Sequence, residues 1–231
     1  MANLQPNPGK KIEIIIKGTT YERYPVKTHV IKIGERLEEI LKQYVVPHLQ
    51  SGDMIFMSEK IVAISQGRSY PIDEIKVSTL ARFLSSKVYK SPYGIGLGSP
   101  WTMQLALNEV GYFRIGLGIL VHLICKPFGI KGMFYHVVGR TVAAIDGPCD
   151  YTLPPYNRYA KLGPKNPDNV AQELKTAIGY DVVIIDANDL GVNILGTSTN
   201  TIPTETLATI FKDNPLGQTS EQTPIAIVRK K

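Results

Sequence analysis

The run "VVIID" at residues 182–186 restricts the fold more than any other stretch of this chain. Four apolar residues in succession read as a buried strand, and that strand runs into an acid. Ala187, Asn188, Asp189, Leu190 and Gly191 follow, so two acids and an amide crowd the end of a hydrophobic strand. Such groups either face water in a turn or hold something positive, because close carboxylates repel one another unless solvated or neutralised. A strand of this kind needs a core around it. At 231 residues, 43% of them hydrophobic, the chain can build one, as a single domain or as two intimate lobes.

Hydrophobic periodicity supplies the other elements. Residues 11–18 and 24–33 read as extended segments, and "ERLEEILKQYVVPHL" as a helix ending near Pro47. "GDMIFMSE" is a strand leaving a Gly-Asp turn, and "KIVAISQGRSY" a strand pair or a strand–helix transition. An amphipathic helix is expected over 73–90, then a Gly/Pro loop over 91–101. A mostly helical stretch follows, broken near Gly111 and stopped at Pro127. Residues 132–147 read as two strands turning at Gly139 and Arg140, followed by a long proline-rich loop. A helix capped by Asn166 or Asp168, the 182–186 strand, a helix in "TETLATIFKD" and a short last strand complete the chain. Residues 1–10 look like a loose leader, with one domain or two intimate lobes over 11–231. The fold class is mixed α/β (α+β), and the irregular order of strands and helices argues against a doubly wound parallel sheet.

Charge and composition narrow the function classes. A net charge of +6 suits an anionic partner such as a nucleotide, polyphosphate or nucleic acid. Trp101, Tyr112, Phe113, Phe134 and Tyr135 sit among apolar residues and not among Lys and Arg, so they read as core and no nucleic-acid partner is expected. The uncharged run 115–125 is too short to span a bilayer, which takes about 20 residues, so it reads as a buried helix. A cytoplasmic protein with no membrane partner is the expectation. Cys125 and Cys149 form no CxxC, and no HExxH or GxSxG occurs, so structural zinc and Ser/His/Asp hydrolysis have no handle.

Three stretches carry candidate chemistry. Asp146, Asp150, Asp186 and Asp189 lie at the ends of apolar runs, where carboxylates are held firmly yet reach water. A hard dication such as Mg²⁺ or Mn²⁺ takes one or two carboxylates with neutral oxygens. The bland alternative is that Asp and Asn are good turn formers, and for Asp146 in "IDGP" that alternative leads. The Gly-rich loop "SPYGIGLGSPW" lets backbone N–H groups approach an anion, but it matches neither the dinucleotide fingerprint nor a P-loop. In "MSEKIVAISQGR", Lys60 and Arg68 are available to bind phosphate, or simply form a solvated face.

The succession "GDMIFMSEKIVAISQGR", "GRTVAAIDGPCDYT", "VVIIDANDLG" and "NPLGQTSEQTPIAIVR" resembles the coenzyme F420-0 gamma-glutamyl ligase family, in order along most of the chain. The resemblance implies an α/β fold around antiparallel sheets and an intertwined homodimer. It implies an acid–amino acid ligase that joins L-glutamate to a carboxylate-bearing acceptor, driven by GTP (or ATP) and Mg²⁺ or Mn²⁺ through an acyl phosphate. On it, Asp150 and Asp186 are catalytic metal acids, with Asp146 competing for the first role, and Gln218 is a metal ligand. Asn188 or Asp189 supplies a further metal oxygen. Ser58, Glu59, Lys60 and Arg68 serve the nucleotide, with Asn157 standing in for an asparagine where this chain has Leu153. The chain also departs from the family pattern. A Gly-Leu-Pro loop is missing near "THVIKIGERL", Ile64 replaces a lysine, and "AND" follows Asp186 where a hydroxyl residue and Gly-Arg-Pro are usual. The alternative is therefore a nucleotide- or cofactor-binding protein on the same scaffold without catalysis.

Overall fold

The computed structural model describes residues 4–88, 96–130, 132–188, 191–217 and 219–231. In chain order the strands are β1 (Glu13–Ile16), β2 (Thr19–Val26), β3 (Met54–Ser58), β4 (Ser69–Pro71), β5 (Tyr159–Lys161), β6 (Asp181–Asn188), β7 (Gly191–Thr197) and β8 (Ile225–Lys230). The helices are α1 (Leu37–Tyr44), α2 (Glu59–Ser65), α3 (Thr79–Lys87), α4 (Pro100–Val110), α5 (Tyr112–Cys125), α6 (Met133–Val138), α7 (Arg140–Ala143), α8 (Pro167–Ile178) and α9 (Thr204–Ile210). The mixed α+β class expected from the sequence is the one observed. The chain divides into two compact units. The first comprises residues 1–67, 151–153 and 166–231, and the second residues 68–150 and 154–165.

The first unit is built on a six-stranded sheet of order β1-β2-β8-β3-β6-β7. Every pairing is antiparallel except β3 with β6. β1 and β2 are joined through Lys17 and Gly18, both at positive φ, the two-residue turn whose twist suits a hairpin. The last strand, β8, lies inside the sheet between β2 and β3.

Strand alternation divides the buried side chains between two faces. Met54, Phe56, Val183, Ile185, Ala226 and Val228 pack with Leu207, Ile210 and Phe211 at α9, and Phe56 stacks on Phe211 with ring centroids 4.4 Å apart. The opposite face receives the N-terminus of α8. A methyl group on Gly196 of β7 would lie 2.4 Å from the carbonyl carbon of Pro167, so only glycine lets the helix start this close.

Two ion pairs, each with one buried partner, pin the sheet. Asp53, just before β3, has a fully buried side chain and binds Arg229 of β8 at 2.7 Å. Arg23 of β2 is 1% exposed and donates to the carbonyls of Lys11 and Ile210 at 2.8 and 2.9 Å and to the carboxylate of Asp213. It thereby ties β2, the segment before β1 and the end of α9 together.

The second unit has its own core. Ala81, Leu97, Met103, Leu105, Leu107, Ile115, Val138, Val142, Ile145, Ala160 and Leu162 are buried there together. Ser78 opens α3 and Ser99 opens α4, each side chain accepting from a free N–H of the first turn. Pro100 follows Ser99 as the first helical residue, where its missing N–H costs nothing.

Six sequence expectations change. Residues 132–147 hold helices α6 and α7 and not two strands. "MFYHVV" favours strand by composition, but Phe134 and Val138, four apart, both pack on Gly118 of α5, an arrangement that only helical spacing gives. The helix expected over 73–90 begins at Thr79, because Ser78 caps it. The proline-rich loop contains β5, which pairs with β4. Asn166 precedes α8 without a side-chain cap, and Asp168 instead accepts the N–H of Thr197 at 3.0 Å. The apolar run 115–125 is buried on one side only. Ile115 and Gly118 face inward, whereas Tyr112, Phe113, Leu117, Leu120, Leu123 and Ile124 are exposed. Trp101 and Phe134 do pack on the core, but Tyr112, Phe113 and Tyr135 do not join it.

The Arg23 pair gives the fold a pH dependence. Burial pushes the Asp213 carboxyl up, but the hydrogen bond and charge of Arg23 outweigh it and hold the group below the ordinary carboxylate range. A depressed carboxylate stabilises the fold above its unfolded pKa, about 3.9, and the contribution fades as pH falls through the lower folded value. Arg23→Met takes a buried donor from the Lys11 and Ile210 carbonyls and the counter-ion from the half-exposed Asp213, and is expected to cost about 1–3 kcal/mol in urea unfolding at neutral pH. The deficit relative to wild type should shrink in acid.

Candidate functional site at the sheet edge

The pairing register of the first unit gathers chemistry at one edge of its sheet. β3 and β6 run parallel, with Ser58 opposite Ile185. The residues that follow, Glu59 and Lys60 at the start of α2 and Asp186 to Asn188 at the end of β6, therefore come at the same end of the parallel pair. Ligands bind outside the carboxyl ends of parallel strands because the chain leaves the sheet there and exposes its polar groups. β8 starts at the same edge: Ile225 pairs with both Met57 and Val26, and the N–H of Ser58 donates to the carbonyl of Pro224 at 2.9 Å. Thr28, just beyond β2, is held to Gln222 by two hydrogen bonds, of 2.6 and 3.2 Å.

β6 continues past the acid. Asp186 pairs with Asn193, Ala187 with Val192 and Asn188 with Gly191, so "DAND" is the first arm of a hairpin and not a loop after a strand. Ile185, Ala187, Val192 and Ile194 all pack toward the α9 core. Alternation then puts Asp186, Asn188 and Asn193 together on the opposite face. Asp186 and Asn188 are half-buried and Asn193 is exposed. One carboxylate and two amide oxygens on one face make a donor set a hard dication accepts, with water completing its shell. Among the described residues no three His, Cys, Asp or Glu side chains form a metal-holding group, so this set is poor in acid.

At the end of β3, Ser58 accepts the N–H of Lys60 at 3.3 Å and so caps α2. Glu59 is buried, which is rare for a carboxylate without a specific role. His29, beyond β2 in the first unit, is fixed between the Tyr44 hydroxyl and the Glu35 carboxylate, both at 2.9 Å.

Asp146, Asp150, Asn157 and Arg68 belong to the second unit. Asp150 is exposed. Asp146 pairs by backbone with Lys161, and its Oδ1 accepts the N–H of Gly147 at 2.9 Å, as an ordinary turn aspartate does. Asn157 is half-buried in a single 3₁₀ turn. Arg68 is occupied within this unit: its guanidinium binds Glu109 at 2.6 Å and donates to the Gly163 carbonyl at 2.7 Å. Asp189 and Gln218 lie outside the described residues, as do residues 91–95 of the Gly-rich loop. Of that loop, 96–98 form a 3₁₀ turn with Leu97 and Gly98 buried.

A family model described as F420-0:gamma-glutamyl ligase matches residues 25–210, well over half of the chain. The chain belongs to the F420-0:gamma-glutamyl ligase family. No curated protein matches it significantly. The matched range starts at the end of β2 and ends at the end of α9, so it includes both strands of the parallel pair, the β6–β7 hairpin and the whole second unit. Ligase chemistry on small molecules such as F420-0 and glutamate is the class of activity that goes with this family.

Asn193 is the residue that sequence reading missed. The signal was present, since a second extended run, "GVNILG", follows the polar "ND" turn and must fold back on "VVIIDA". Removing the Ser58 hydroxyl (Ser58→Ala) is expected to lower stability by about 1 kcal/mol, the ordinary worth of an N-cap, as read by thermal or urea unfolding. A loss of activity larger than that stability change would place Ser58 in contact with substrate as well.

Proposed function

We propose that this chain is a nucleotide- and divalent-metal-dependent ligase that joins L-glutamate, or a similar amino acid, to a carboxylate-bearing acceptor of the F420-0 class. The observation that carries the reading is the parallel β3–β6 pair, which brings Ser58–Lys60 and Asp186–Asn188 to one edge within the family-matched region. The resemblance adds a homodimer and the acids of the second unit, Asp146 and Asp150, to the working enzyme.

Carboxylate and amine do not condense readily in water, so the acyl group must first be activated. The acceptor carboxylate attacks the terminal phosphorus of GTP or ATP, the bond to the bridging oxygen breaks, and nucleoside diphosphate leaves. The amine of glutamate then attacks the acyl carbon of the resulting acyl phosphate. Inorganic phosphate departs, and the nitrogen loses a proton as the amide forms. Asp186, Asn188 and Asn193 suit Mg²⁺ or Mn²⁺, with Asp189, Asp150 and Gln218 as the further donors the resemblance names. When bound, the metal draws charge off the phosphates and aligns them for in-line transfer. Lys60 adds a positive point charge at the nucleotide end. Arg68, held by Glu109, serves by fixing the second unit's own packing.

The test is Asp186→Asn, which keeps the size and hairpin position of the side chain but removes its charge. Phosphate release and glutamate incorporation, followed by mass spectrometry with a phospholactyl deazaflavin acceptor, GTP or ATP and Mn²⁺, should fall about 100-fold or more, with the unfolding midpoint held. Unchanged turnover would remove Asp186 from the mechanism. The missing Gly-Leu-Pro loop favours a second reading, a binder without catalysis. Nucleotide binding by calorimetry without phosphate release, whatever acceptor is added, would select that reading.

A further inference from the structure

Helix α5 has two apolar faces, and only one is covered. Ile115 and Gly118 point into the second unit, where a methyl group on Gly118 would lie 2.9 Å from Val138 and 3.1 Å from Phe134 of α6. On the other side Phe113 is 84% exposed, Leu117 42%, Leu120 54% and Ile124 57%. Their spacing of four, three and four residues makes one stripe along the helix. Phe128, 77% exposed, and Ile130, 49% exposed, extend the apolar surface past the helix end. A helix apolar all round is normally buried all round, and a continuous apolar stripe of this length marks a contact surface.

Charge decides what covers it. From Val110 to Ile145 the sequence carries Arg114, Lys126, Lys131 and Arg140 and not one Asp or Glu. Arg114 and Lys126, beside the stripe, are exposed. A second copy brought face to face would set cations against cations with no acid from this stretch to answer them. An anionic lipid surface supplies both what the stripe needs and what the cations need, with long basic side chains reaching up to the headgroups.

Length decides how it is covered. The fourteen residues of α5 span about 21 Å, short of the roughly 30 Å hydrocarbon core. α4 and the stretch Tyr112–Phe128 are together long and apolar enough to span, but they meet at 110°. α4 also buries Met103, Leu105, Ala106 and Leu107 in the unit's core, so inserting it would dismantle that core. We infer that the Phe113–Leu117–Leu120–Ile124 face of α5, with Phe128 and the flanking basic residues, is a docking face that lies on an anionic membrane surface without crossing it.

The test is sedimentation of the full chain with vesicles of phosphatidylcholine alone and of phosphatidylcholine mixed with phosphatidylglycerol. Wild type should partition about tenfold or more better onto the anionic vesicles, and salt should weaken that preference. The combined variant Phe113→Ser, Leu120→Ser, Ile124→Ser should lose vesicle binding, with an unchanged far-ultraviolet circular dichroism spectrum confirming its fold. Lys126→Glu should lower the anionic preference. A Phe113→Trp variant should be quenched by brominated lipid beyond the level that Trp101 alone gives in wild type, a readout that does not depend on the serine variant folding. Equal failure of wild type to bind either vesicle would overturn the proposal. So would a self-association seen by sedimentation velocity that the serine substitutions abolish, since the face would then join two copies.

Discussion

The parallel pairing of β3 with β6 is the constraint on which the candidate site depends. Two strands more than 120 residues apart in sequence are held side by side, and their shared direction decides that "SEK" and "DAN" come at the same end of the pair. An antiparallel pairing of the same strands would put these groups at opposite ends, roughly 15–20 Å apart for strands of this length. The pairing is secured from both sides. β8 hydrogen-bonds the free edge of β3 and is locked there by the Asp53–Arg229 pair, while β7 covers the free edge of β6. The C-terminal strand thus keeps the site's two limbs in register although it contributes none of their side chains.

The sequence revealed the interior more faithfully than the edges. "VVII" could only be a buried strand, and residues 182–185 are indeed fully buried. What its continuation would do was not legible, because a polar residue on a strand and one in a turn look alike until the partner strand is known. Asp186 and Asn188 keep strand geometry through pairing with Asn193 and Gly191, a long-range fact. The strand–helix alternative at "SEKIVAIS" was decided by one hydroxyl, since Ser58 caps the first turn of α2. "MFYHVV" went the other way: its β-forming composition yields to packing, since Gly118 leaves a hollow on α5 that a helix fills. Among the candidate site residues, Arg68 shows the same limit. Its charge and fork shape suit phosphate, while its partners in the structure, Glu109 and the Gly163 carbonyl, are distant in sequence and were not legible there.

The misreading of α5 has a physical basis of its own. Hydropathy reports how much a helix avoids water, not how many of its faces the rest of the protein can cover. Among the described residues, α4 and α6 are the α-helices in substantial contact with α5, and the glycine that admits α6 turns the bulkier residues outward. The same sequence property thus gives a tight internal joint and an uncovered external face.

Under the proposed function, the amides beside Asp186 bear on when the metal binds. A dedicated protein cage for a hard dication gathers several carboxylates, whereas Mg²⁺ at a nucleotide is commonly held by one or two carboxylates and by the phosphates themselves. The described edge offers Asp186 with Asn188 and Asn193, and no group of three acids or other strong ligands. With one carboxylate among its described donors, this face of the hairpin holds a dication weakly until further oxygens, those of phosphate included, share it. Metal and nucleotide then bind as one unit, each raising the affinity for the other, as linkage requires. The substitution of amides for a denser acidic cluster therefore lowers mutual repulsion in the free protein, where Asp186 sits half-buried, and leaves the balance of charge to the substrate.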